Sequence, residues 1–341
     1  MNLAGIDSKA GRLEAGVAGI GWVTPLGTQL HGVWQALQSG VVAESRPIEN
    51  PETGRLHQVR PVSPKLVEHL ARQPRLRRSS PISYFAVGAA MAALEDAGIL
   101  PSAEAGSATA LVFAVSNGGV IYTRRFYDQI IRQGANAASP MLFPETVYNA
   151  PASHVASAFG VDGASYTLVG DNAVGIAALH FGSQLLALGA CERVLVVGCE
   201  EIDWILCEAF YDWRLASTPL SEGAGAVLLT RDAPLRITTA AAVPIFRRAE
   251  AGAALRSALG NQEGEWVISS GNRGFAERIE RRLLGEKGTW VFPKRHFGEA
   301  PGASAVWQVI AGAMALRTCE ARSVLVPVVG FNQQAAVATL R

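Results

Sequence analysis

The chain has 341 residues, 49% of them hydrophobic and 17% charged, with 30 basic residues against 29 acidic and a formal net charge of +1. That length allows a large core and roughly two domains, and the even charge balance excludes a global field for nucleic acid or an anionic membrane. No run reaches the ~18 consecutive apolar residues of a membrane span, and the opening MNLAGIDSKAGRLEAG lacks the charged-then-apolar order of a secretory signal. The four cysteines, Cys191, Cys199, Cys207 and Cys319, lie in apolar contexts. They predict reduced, buried thiols in a cytoplasmic protein rather than a disulfide framework or a zinc site.

In chain order, residues 17–22 form a short apolar strand that runs into the Pro/Gly turn VTPLGT, and LHGVWQALQ is a helix ended at Gly40. Residues 44–80 are polar and punctuated by proline, with the basic run RQPRLRR at 72–78. SYFAVGAAMAALEDAG is an alanine-rich helix stopped at Gly98. ALVFAVSNGG is a buried strand running into a glycine loop, and 139–160 mixes loop and helix. ERVLVVGCEE and GAGAVLLT are further buried strands. The remainder starts weakly with RITTAAAVPIF, followed by the helix-like AGAALRSALG, the strand WVISSGN and the helix FAERIERRLL. GASAVWQVIAGAMALRTCEA is a long helix, and SVLVPVVGF and AAVATL close the chain as paired strands. Buried strands alternating with apolar helices imply an α/β fold with helix-covered sheets. There is no P-loop, and GVAGIGWV lacks the third glycine of a dinucleotide fingerprint, so no cofactor is expected.

The stretch SYTLVGDNAVGIAALHFGSQLLALG, 165–189, reads as a strand, a sharp turn at Gly170, Asp171 and Asn172, and an almost wholly apolar helix. A helix N-terminus stabilises an anion, so such a corner suits a nucleophile. Neither aspartate nor asparagine is an acyl acceptor, and both are common helix caps.

Six segments, in order, carry a resemblance: GIGWVTPLGT, RLRRSSPISYFAVGAAMAALEDAGI, FPETVYNAPASHVASAFGVDGASYT, SEGAGAVLL, KRHFGEAPGASAVWQVIAGAMAL and VVGFNQQAAVATL. The chain resembles the β-ketoacyl-acyl-carrier-protein synthases of the thiolase-like fold, including the chain length factors of type II polyketide systems. The resemblance implies two similar halves, 1–235 and a shortened 236–341, stacked as a five-layered αβαβα core and normally dimeric. It also implies a cysteine and two histidines at the site. Here Asn172 falls on the cysteine, Gly271, between Ser270 and Asn272, on the first histidine, and Glu299 on the second. Lys294 matches the family's lysine and Phe331 the phenylalanine that shapes acyl entry, with Asn332 and Gln333 in place of two glycines.

Asparagine supplies no thiolate, and an ionised Glu299 would repel a developing enolate oxygen. The resemblance therefore implies a subunit that does not condense. Such a subunit pairs with an active ketosynthase or with itself, and an acyl carrier protein is a further candidate partner. Two readings stay open beside it: a repurposed acyl-thioester enzyme using Asp171, Glu299 or a cysteine, and a homodimeric acyl-binding or structural protein. Phe143, Pro144 and Tyr148 are interface candidates. Arg72, Arg75, Arg77 and Arg78 form either a solvated face or a carrier-docking patch. Lys294 and Glu299 form a buried pair or face solvent. His154 and His180 are expected in the core, His296 in a loop, and Cys199 in inert packing. No metal site is expected.

Overall fold

The computed structural model describes residues 11–341 apart from positions 103, 216, 217 and 332. Most of the N-terminal stretch read for a signal, and Asn332 of the closing turn, lie outside the described residues.

The first part of the chain contains β1 (Leu13–Val23), α1 (Leu30–Gln38), β2 (Arg46–Glu49), β3 (Leu56–Arg60), α2 (Pro64–Ala71), α3 (Pro81–Asp96), β4 (Thr109–Val115) and α4 (Val120–Gln133). There follow α5 (Ala150–Phe159), β5 (Ser165–Val169), α6 (Val174–Ala187), β6 (Arg193–Glu200), α7 (Trp204–Asp212), β7 (Leu220–Ser221) and β8 (Gly223–Thr230). The second part contains β9 (Arg236–Thr239), β10 (Val243–Pro244), α8 (Ala251–Leu259), β11 (Trp266–Ile268), α9 (Phe275–Leu284) and β12 (Thr289–Val291). It closes with α10 (Pro293–Phe297), α11 (Pro301–Arg317), β13 (Val324–Val329) and β14 (Gln334–Leu340). The proline-punctuated stretch is thus ordered, as the β2–β3 hairpin and α2.

An 11-stranded sheet runs in the order β12-β11-β13-β14-β9-β1-β8-β6-β4-β5, with β10 beside β14. Its two ends repeat each other. Parallel pairs lie outermost, β4 with β5 and β6, and β11 with β12 and β13, while the inner pairs are antiparallel. The long strand β1 joins the ends, its first residues on β9 and the rest on β8. Helices α6 and α11 pack between the two ends, α3 and α5 cover one outer face, and α8 and α9 cover the other. These are the layers αβαβα.

The central helices explain their own composition. A helix with a sheet on either side must be apolar around its whole circumference, and α11 is buried from Pro301 to Ala315. The outer α3 reaches its sheet closely because β1 carries glycine where they touch. A Cβ on Gly21 would lie 2.4 Å from the carbonyl oxygen of Ala89.

Candidate functional site

In the repeat, β5–α6 of the first part corresponds to β12–α11 of the second, and the N-termini of these two central helices converge. Each places a polar residue there. Asn172, 2% exposed, lies between Gly170 and the first turn of α6, and Glu299, 6% exposed, precedes α11. The Asn172 amide donates from Nδ2 to Glu299 Oε1 at 2.8 Å, and Lys294 Nζ of α10 donates to Glu299 Oε2 at 2.9 Å. Ser304 Oγ donates to the same carboxylate at 3.3 Å. The backbone of Glu299 is stapled to the segment before and within β7, through Glu299 N to Pro219 O at 2.9 Å and Ser221 N to Glu299 O at 2.7 Å. The expectation of a buried Lys294–Glu299 pair therefore holds over solvent exposure.

Only part of the capping expectation is realised. Asp171 Oδ1 accepts from Ala173 N at 3.1 Å, and its carbonyl accepts from Val174 N at 2.9 Å. The Asn172 side chain does not cap, because it is committed to Glu299. Its Oδ1 is buried without a hydrogen-bond partner among the described residues.

Asn172, Ser270, Asn272, Lys294, Glu299 and Phe331 line a cavity of about 110 Å³. Gly271 contributes no side chain. A Cβ there would lie 2.3 Å from that of Glu277, so its neighbours Ser270 and Asn272 face the cavity instead. Ser270 is itself held, donating from backbone N to Glu280 at 3.1 Å and accepting from Val329 N at 3.1 Å. Burial pushes the Glu280 carboxyl up to about 7. The rim carries Trp213, Arg214 and Arg248. Among the described residues, its lining carries no thiol or histidine, and its one carboxylate, Glu299, is paired.

A group of carboxylates that the sequence reading passed over supports the site from behind. Glu200 accepts from Asn117 N at 3.2 Å and from Gly302 N, at the start of α11, at 3.1 Å. Glu201 ties together the starts of α3 and α4, accepting from Ser80 Oγ at 2.6 Å, Ile82 N at 3.0 Å and Ile121 N at 2.9 Å. Glu222 receives Val62 N at 3.1 Å and Ile202 N at 3.3 Å. Burial raises all three, Glu200 to about 8 and the other two to about 7. The signal in the sequence was a charged residue ending or entering an apolar strand, in GCEE and SEGAG.

The remaining candidates are dispersed. Phe143, Pro144 and Tyr148 are exposed before α5, as are Met141 in the same segment and, separately, Tyr166 and Val169 of β5. Arg72 pairs with Glu68, Arg75 donates to Ser157 O at 2.9 Å, and Arg77 and Arg78 are exposed, none of the four lining the cavity. His180 is buried against Thr239, and burial lowers its pKa. His154 is half-buried on Glu145 at 2.7 Å. Three expectations need correction, the first being His154, which is half-buried rather than in the core. His296 lies in α10 rather than a loop, its ring on Val41 O at 2.6 Å. Cys319 is exposed and Cys191 half-buried, so only Cys199 and Cys207 are core thiols. No group of three or more His, Cys, Asp or Glu among the described residues could hold a metal.

Residues 15–234 match the β-ketoacyl synthase N-terminal domain. The chain belongs to that family. It is 24% identical over 211 residues to the 3-oxoacyl-[acyl-carrier-protein] synthase 2 of Coxiella burnetii, covering 61% of this chain and 47% of that one. It is 23% identical over 223 residues to the synthase of the same name from Vibrio harveyi, covering 63% and 50%. The chain thus spans about half the length of the curated relatives it matches. Among solved structures it resembles the ishigamide ketosynthase/chain length factor, with a TM-score of 0.77 at 20% identity over 96% of this chain and 99% of the other. It is also similar to AntDE, a type II polyketide ketosynthase solved with its acyl-carrier protein AntF, with a TM-score of 0.77 at 14% identity and the same coverage. The fold of this ketosynthase-like chain is therefore thiolase-like.

Proposed function

We propose that this β-ketoacyl synthase-like chain is a non-condensing partner subunit of fatty acid or polyketide synthesis, in the manner of a chain length factor. The observation that carries the reading is the bonding of Glu299 to both Asn172 and Lys294. We take Asn172, Gly271 and Glu299 as the positions where active relatives hold their cysteine and histidines. A carboxylate that already engages the lysine and the amide group of the asparagine occupies the place where substrate chemistry would occur. Reacting groups would need to converge on a substrate atom there; these side chains converge on each other.

The exposed surface supports a partner. Strand β5 ends the sheet, so one edge of its backbone is unpaired among the described residues, and such an edge is a template for another chain. Val169 of β5 is 53% exposed, and Met141, Phe143 and Tyr148, in the segment before α5, are 57%, 55% and 48% exposed. Exposed large apolar groups of this kind are what an interaction site presents. We assign this face to an active ketosynthase, with self-pairing as the fallback. We also retain a carrier-protein contact at Arg72, Arg75, Arg77 and Arg78, a division of the halves after Leu235, and a cytoplasmic setting.

The isolated protein, incubated with acyl- and malonyl-carrier proteins, is expected to carry no acyl adduct at Asn172 and to release no β-ketoacyl product. Either species, detected by mass spectrometry, would favour the repurposed-enzyme reading instead.

A further inference from the structure

Helix α4 carries Val120, Tyr127 and Ile131 on one stripe, yet none of its fourteen residues is buried by the described part of the chain. An isolated helix of about this length is marginal in water and takes its stability from packing. The stripe lines a groove of about 760 Å³ together with Trp204, Ile205 and Trp213, in and just after α7. The turn of the β2–β3 hairpin lines it as well, at Asn50, Glu52 and Thr53. Its apolar groups reach solvent, Ile131 at 79% and Trp213 at 70% exposure. The groove is also acidic. Glu52, Asp128, Glu208 and Asp212 line it, and Arg124 is the one basic side chain among its described lining residues. That charge is already engaged: Arg124 donates from Nε to Asp203 Oδ1 at 2.8 Å and from Nη1 to Asp128 Oδ2 at 3.1 Å. Arg55 pairs with Glu208 and lies 3.8 Å from Asp212. Hydrogen bonds from Asn50 and His57 hold the Glu208 carboxyl below its usual range, so it stays ionised. Five carboxylates, Asp203 included, thus share two guanidiniums, and Glu52 and Asp212 are exposed to solvent.

The geometry points to this groove as the docking site for an amphipathic helix of a partner protein, with an apolar face flanked by lysine or arginine. The apolar face lies on Ile131, Ile205 and Trp213, and the basic flanks meet Glu52 and Asp212. Helix-in-groove recognition uses an apolar trough of this kind, and complementary charge selects the partner. An acidic segment or an anionic membrane meets like charge here and is turned away. This inference stands without the partner-subunit reading and without the β5 edge.

The test is fluorescence anisotropy of the full chain with a labelled helical peptide that has leucine on one face and lysine on its flanks. A peptide with glutamate for each lysine, and a scrambled peptide of the same composition, are the comparisons. The lysine peptide is expected to bind saturably and more weakly as salt screens the charges. It should bind at least about tenfold more tightly than either comparison. Glu52→Lys with Asp212→Lys should weaken it at least about tenfold. Glu263→Lys with Glu286→Lys makes the same change of net charge at exposed positions of the second part and should leave binding nearly unchanged. Hydrogen exchange in α4 and α7 should slow when the peptide binds, a readout that needs no variant to fold. No binding, binding that tracks net charge alone, preference for the glutamate peptide, or unaltered exchange in α4 would overturn the inference. So would protection of both helices by a co-expressed ketosynthase, which would make the groove part of the subunit interface.

Discussion

At the scale of single residues, the site is a case of charges consuming one another. Lys294 and Glu299 are 4% and 7% exposed at their side chains and 2.9 Å apart. Taking two ions out of water is repaid only when geometry and further hydrogen bonds are good, and here Asn172 and Ser304 supply them. Losing one partner strands the other charge. Lys294→Met or Glu299→Gln alone is therefore expected to cost about 3–5 kcal/mol of stability, and the double variant much less than their sum. Urea denaturation of the four proteins measures the coupling; additive losses would show that the pair does not act as a unit. Sequence reasoning reached the identities of Asn172, Lys294 and Glu299 because each sits in a recognisable segment. It left the Lys294–Glu299 contact open, since five positions of spacing across a glycine turn do not settle whether two side chains meet.

Among elements, helix beginnings are where buried acids gather. Glu200 holds the start of α11, and Glu201 the starts of α3 and α4. Helix N-termini favour an anion, yet desolvation wins here and raises Glu200 from 4.5 to about 8. The sign follows from proton uptake. A raised folded-state value means the native protein binds the proton more tightly than the unfolded chain. The associated stability is complete below about 4.5 and is lost as pH rises toward about 8. Urea midpoints should therefore fall between pH 5.5 and 8.5, and Glu200→Gln should flatten that slope; an unchanged slope would contradict the assignment. The elements themselves were legible wherever periodicity and burial agree, as in α3, α6, α11 and the inner strands. The internal repeat came from the resemblance rather than from repeated residues, because the two ends share strand order and direction. The β2–β3 hairpin hid in a polar stretch because its strands are short and mostly exposed.

For the whole molecule, the fold brings the Lys294–Glu299 ion pair to the wall of the cavity and leaves β5 at the end of the sheet among the described residues. On the proposed reading, a cavity whose charges are already paired directs attention to that edge. Obligate interfaces commonly bury more than ~2,000 Å², and a chain exposing such a face alone tends to self-associate. The central claim is that this face belongs to an active ketosynthase, and native mass spectrometry after co-expression with an intact synthase from the same genome tests it most directly. The account predicts a one-to-one heterodimer that outcompetes self-pairing and is weakened by Val169→Glu on the free edge of β5. A chain that stays monomeric or homodimeric beside every such synthase would contradict it.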